Sequence, residues 1–86
     1  MAEQRVGVVI HYWDKIGVAG LRLTEGELNV GDEIHVKGHT SDFTQRVDSI
    51  QLEHETVEIA QPGQDIGVKV VEQAREHDAV FKVTPD

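Results

Sequence analysis

Apolar residues along this chain recur at every second position far more often than at helical spacing, the sign of strands that bury one face. Val6, Val8, Ile10 and Tyr12 alternate through the first segment; after Asp14-Lys15 a second begins with Ile16, Val18 and Gly20 and continues through Leu21 and Leu23. The two read as a hairpin. A polar turn, Thr24-Glu25-Gly26-Glu27, follows, and Leu28 and Val30 lead into Gly31-Asp32. Gly31 is expected to supply a positive φ or a tight turn ahead of a third strand carrying Ile34 and Val36. Gly38-His39-Thr40-Ser41-Asp42 has the composition of a loop, and Phe43 and Val47 then share one face. Ile50 and Leu52 fall on the opposite parity, so a β-bulge at Asp48-Ser49 is expected to repair the register.

Gln61-Pro62-Gly63-Gln64 is the strongest turn signal in the chain. Ile66, Val68 and Val70 make a fifth strand, and Ala79, Phe81 and Val83 a sixth. The helix candidate, Val71 to Glu76, is too short to stand on propensity alone. Short strands with turns at roughly ten-residue spacing predict an all-β domain. Closure removes the exposed edges that invite pairing between molecules. The expected fold is therefore a small closed six-stranded antiparallel barrel with Greek-key-like connections, spanning residues 1–86 as one domain.

Length supports the single domain, since 86 residues leave no room for a second core. The chain has no cysteine, which excludes a disulfide-stapled scaffold and a thiolate zinc site. No apolar run approaches the ~20 residues of a membrane helix. The opening Met1-Ala2-Glu3-Gln4-Arg5 lacks the basic-then-apolar pattern of a secretory leader, so a cytoplasmic location is expected. With 16 acidic against 8 basic side chains the net charge is −8, which opposes sequence-independent binding to nucleic acid.

The run from Val18 to Gly38, VAGLRLTEGELNVGDEIHVKG, resembles the second domain of translational GTPases such as EF-Tu. Val47-Asp48-Ser49-Ile50-Gln51 and Ala60-Gln61-Pro62-Gly63-Gln64-Asp65-Ile66-Gly67-Val68 are similar to that domain's later strands and intervening turn. The stretches His11 to Ala19, Gly38 to Gln45 and Gln51 to His54 resemble more closely the stand-alone elongation-factor-like proteins and the C-terminal barrel of the U32 peptidase family. The resemblance implies a non-catalytic barrel, an adaptor in translation or RNA modification that acts through protein contacts. The alternative is a barrel that binds RNA directly and stacks an unpaired tRNA or rRNA end on hairpin aromatics. No phosphate loop of the Gly-x-x-x-x-Gly-Lys-Ser/Thr type is present, so no nucleotide or other cofactor is expected. U32 enzymes place their chemistry in a separate, larger domain, and the chain itself is not expected to be an enzyme.

Trp13 lies at the expected tip of the first hairpin, with Tyr12, His11 and Lys15 beside it. Such aromatics either cap one end of a barrel or stack on a base or a partner protein. The 38–42 loop is both a turn by composition and a concentration of hydroxyl, imidazole and carboxylate groups. If hairpin and loop meet, His11, Tyr12, Trp13, Lys15, His39, Thr40 and Arg46 form one binding face for a protein of the ribosomal, translation or RNA-modifying machinery, or for RNA.

Other constellations carry less. His35 and His39 stand on a strand entering a loop, a spacing that does not aim both rings at one metal, so these and His54 and His77 are expected to be solvated. Ser41 and Ser49 lack a nucleophile-elbow context, and Asp32-Glu33 reads as a solvated turn. The acidic groups Glu53, Glu55, Glu58 and Glu72, Glu76, Asp78 read as surface that suits a basic partner protein.

Overall fold

In the computed structural model, which describes residues 2–84, the first alternating segment forms one long strand, β1 (Ala2–Trp13). It turns through Asp14 to Gly17 into β2 (Val18–Leu23), completing the expected hairpin. Two irregularities reset the faces of β1. Its register shifts against β2 between Val9 and His11, and against the last strand between Arg5 and Gly7. Val6 and Val9 are consequently buried, while Val8, Ile10 and Tyr12 are half-buried.

Eight further strands follow: β3 (Leu28–Asn29), β4 (Glu33–Lys37), β5 (Asp42–Arg46), β6 (Ile50–Leu52), β7 (Glu55–Val57), β8 (Ile59–Ala60), β9 (Asp65–Lys69) and β10 (Ala79–Thr84). The main sheet has eight strands in the order β5-β4-β10-β1-β2-β9-β6-β7, all neighbours antiparallel; β3 and β8 form a separate ribbon. Leu21, Leu23, Leu28, Ile34, Ile50 and Val68 are fully enclosed in one core. Burying each such side chain is worth roughly 1.5–3 kcal/mol. Gly31 has φ +97°, and its turn precedes β4 as its position in the sequence anticipates.

Two expectations are corrected here. The closed six-stranded barrel is replaced by ten strands and two sheets, with β5 and β7 as the two edge strands of the larger one. The cause lies at residues 47–49. A bulged continuous strand was the expectation, but the chain breaks there, so that β5 stays with β4 and β6 leaves to pair with β9. At the break the Val47 N–H donates to the Asp32 carbonyl and the Val47 carbonyl accepts from the Gly31 N–H, both at 2.8 Å. Those bonds draw the backbone toward the Gly31 turn instead of along a ladder. The Gln45 carboxamide spans the resulting gap, donating to the Lys69 carbonyl at 2.8 Å and accepting from the Val71 N–H at 2.7 Å.

The second correction concerns β10, where Val80 rather than Phe81 enters the core, because Val80 is paired with inward-facing Val36 and Phe81 with His35. Residues 71–78 form no helix, in keeping with a candidate too short to stand on propensity alone. Their backbone is committed outward: the His77 N–H donates to the Val9 carbonyl and the Asp78 carbonyl accepts from the Val9 N–H, each at 2.8 Å.

Candidate functional site

The outer face of the sheet holds a trough whose floor is made by missing side chains. Cross-strand pairing places His11, Gly20, Gly67 and Gln51 in one row across β1, β2, β9 and β6. With strands spaced about 4.8 Å apart, the two glycines open a gap of roughly 14 Å between the imidazole and the carboxamide. The Trp13 indole folds back over Gly20: a Cβ there would stand 3.1 Å from Cζ3 and 3.2 Å from Cη2. The edge of the indole's six-membered ring therefore sits against Gly20, at a spacing that a side chain there would crowd.

Trp13, Ile16 and Val18 form one wall of a cavity of about 410 Å³, and Glu53 and His54 line it on the far side. Trp13 remains 45% exposed and Ile16 62%, a large apolar surface left to solvent. A smaller depression continues past Gly67 toward Ser49 and Lys69, sharing Ile16, Val18 and Gln51. The trough thus has carboxylates at one end and an ammonium at the other.

The far wall rests on a two-residue hairpin between β6 and β7. Glu53 and His54 have φ of 50° and 69°, the paired positive values that a type I′ turn requires and that Asn-Gly ordinarily supplies. Holding two residues with side chains there costs backbone strain. That strain presents a carboxylate and an imidazole to the trough.

One ion pair borders it, and a second ion-pair system stands elsewhere on the sheet. The Arg22 guanidinium donates to both Asp65 oxygens, at 2.9 and 3.1 Å; these hydrogen bonds hold the Asp65 carboxyl below its ordinary range and raise Arg22 further. His35 lies away from the trough, on β4. Its Nε2 meets Asp42 at 2.5 Å and its Nδ1 meets both Glu3 oxygens at 3.0 and 3.1 Å. The bonds to Asp42 and then to Glu3 raise its pKa, against the opposing effect of burial. Its side chain is 14% exposed, which corrects the expectation of a solvated residue.

The residues singled out from the sequence are distributed as follows. His11 and Trp13 come together, their rings edge-to-face with centroids 4.5 Å apart, and Lys15 is exposed in the turn beyond them. Trp13 lies on the sheet's outer face and does not cap the core, whereas half-buried Tyr12 packs against the core. His39 and Thr40 sit on the β4–β5 turn. That turn is at the same end of the sheet as the first hairpin, because β1 and β4 are both antiparallel to β10. The 73–76 loop lies between them: Gln73 and Arg75 line one depression with Thr40 and another with His11 and Tyr12. Arg46 is at the opposite end, donating to the Gly31 carbonyl at 3.3 Å. Asp78, read as surface, is 4% exposed, its carboxylate accepting from the Arg75 N–H at 2.9 Å.

Gly20, Gly67 and Gln51 were not singled out as site residues from the sequence, whereas Glu53 was read as acidic surface suited to a basic partner and His54 as solvated. Lone glycines inside two alternating strands were the available signal, since such positions mark close approach. Among the described residues no three His, Asp or Glu side chains group around a common metal position.

A family model described as elongation factor Tu domain 2 matches residues 17–79. A collagenase of Porphyromonas gingivalis is 40% identical over 78 residues, covering 90% of this chain and 22% of that protein. A protein of Methanocaldococcus jannaschii described as an uncharacterized protease is 36% identical over 77 residues, covering 88% and 19%. The chain therefore spans about a fifth of the length of these curated relatives. Among solved structures, the C-terminal domain of a Geobacillus thermoleovorans protein described as a U32 peptidase superposes with TM-score 0.86 at 24% identity, covering 92% of this chain and 91% of that one. At that identity the likeness concerns the fold.

Proposed function

The chain belongs to the elongation factor Tu domain 2 family, and on that premise we propose that it is a non-catalytic adaptor module that holds a protein partner in the Trp13 trough. Its setting would be translation or RNA modification, or service to a larger catalytic unit of the U32 type. The observation that carries this reading is the exposed indole seated against Gly20, with exposed Ile16 lining the same cavity: a preformed apolar surface with a polar rim, the anatomy of a protein-binding hot spot. The small share of their length that the matching segment occupies in the relatives supports an accessory role. Affinity capture with the chain and with Trp13→Ala, at matched thermal stability, tests it. A partner set retained by the wild type and lost by the variant is expected; an unchanged set removes the trough from the function.

A second reading, recognition of an unpaired RNA end by stacking on Trp13 with His11 alongside, is favoured by the same exposed indole and opposed by the charge of −8. Titration of Trp13 emission with tRNA and with a short single strand decides it. No saturable change up to tens of micromolar would sink this reading.

A further inference from the structure

The charges around the trough narrow the partner's chemistry. Glu53 lines the cavity and makes no ion pair among the described residues, while Asp65, at the same end, is already neutralised by Arg22. Gln51 supplies a neutral hydrogen-bonding group on the floor, and Lys69 stands past Gly67, in the neighbouring depression. A planar cation suits this arrangement best. A guanidinium stacks on an indole through its flat face and offers a fork of donors to a carboxylate at its edge. The backbone strain at positions 53 and 54 points the same way, because an unstrained Asn-Gly turn would carry no carboxylate. A nucleic-acid end would instead bring phosphate toward Glu53.

We propose that the trough seats an extended protein segment bearing an arginine, with its guanidinium on the Trp13 indole and its donors directed at Glu53. This rests on the docking role proposed above and names the chemistry of that partner. The glycine pair matters because Gly20 seats the indole while Gly67 leaves space for the arginine stem between the indole and Gln51. The apolar wall of Ile16 and Val18 takes a neighbouring aliphatic side chain of the segment.

The test uses the chain as it stands and three acetylated, amidated pentapeptides, Leu-Ser-X-Ser-Leu with X being arginine, glutamine or glutamate. Trp13 is the single tryptophan, so its emission reports directly on the trough. The arginine peptide is expected to bind at least about fivefold tighter than the glutamine peptide, with glutamate weakest, a margin within the range of a surface cation–π contact plus one ion pair. Glu53→Gln should bring the arginine peptide close to the glutamine one, with the melting temperature confirming an intact fold. Equal binding of the arginine and glutamine peptides by the wild type overturns the arginine assignment while leaving the docking role standing. Binding of an oligoribonucleotide with none of the three peptides overturns both.

Discussion

Gln45 does for Val71 what a neighbouring strand would do: its side-chain oxygen accepts the Val71 N–H at 2.7 Å while its nitrogen donates to the Lys69 carbonyl at 2.8 Å. One carboxamide thus links the edge strand β5 to the segment leaving β9. Gln45→Ala is expected to cost about 1 kcal/mol, the net worth of hydrogen bonds at a partly solvated site. The Val71 amide should also exchange with deuterium faster. An unaltered urea midpoint together with unaltered exchange would show that the link is incidental.

Gly38 and Asp78 make a tighter demand. A Cβ at position 38 would fall 1.8 Å from Asp78 Oδ1 and 2.5 Å from its Cγ, and that carboxylate is fixed by the Arg75 N–H. Gly38→Ala should therefore destabilise by roughly 2–3 kcal/mol, the scale of overpacking against a buried group. In a double-mutant cycle with Asp78→Ala the two losses should fall well short of adding, since removing the carboxylate removes the clash. Simple additivity would separate the two sites.

His35 predicts how stability varies with pH. Its folded pKa is raised, by Asp42 first and Glu3 second, so its contribution is fully present below its ordinary value of 6.5 and is lost as pH rises through the raised folded value. Asp42 is lowered, chiefly by its hydrogen bond to His35. Its contribution is present above its ordinary 3.8 and is lost as pH falls through the lowered value. Chemical denaturation should show the cluster strongest between those two ordinary values and weaker in alkaline buffer. His35→Gln should flatten the alkaline decline; a decline of unchanged depth in that variant would place its origin elsewhere.

The Glu53-His54 turn is expected to be a site where stability has been given up. Combining Glu53→Asn with His54→Gly relieves two positive φ values and should stabilise the domain by about 1–2 kcal/mol, read as a higher melting temperature. A lower melting temperature would mean that the two native side chains contribute contacts that outweigh the strain.

How much of this was legible from the sequence depended on whether one residue or two strands carried the information. The Val18 to Leu23 strand, the Ile34/Val36 strand and the turns at Gly31 and Pro62-Gly63 were readable because local alternation and glycine chemistry decide them. The break at Val47–Ser49 was not, because a parity slip looks the same whether the strand bulges or leaves its sheet. Trp13 could be singled out as a lone tip aromatic. Its seat could not, since it depends on Gly20 and Gly67, far apart in sequence, becoming neighbours across β2 and β9. Asp78 and His35 were misread for the same reason, since Gly38 and Glu3 reach them through pairing of distant strands, although Asp42 faces His35 across the adjoining β4–β5 hairpin.

The pairing of Ala2 with Thr84 has a mechanical side. Both lie at one end of the neighbouring strands β1 and β10, whereas Trp13 sits at the other end of β1, which is 12 residues long. At about 3.3 Å per residue that strand spans up to roughly 36 Å. Any polypeptide joined at either end would depart on the side remote from the indole. The trough, on the outer face and toward the opposite end, would be left uncovered by a neighbour tethered there and extending away from the sheet.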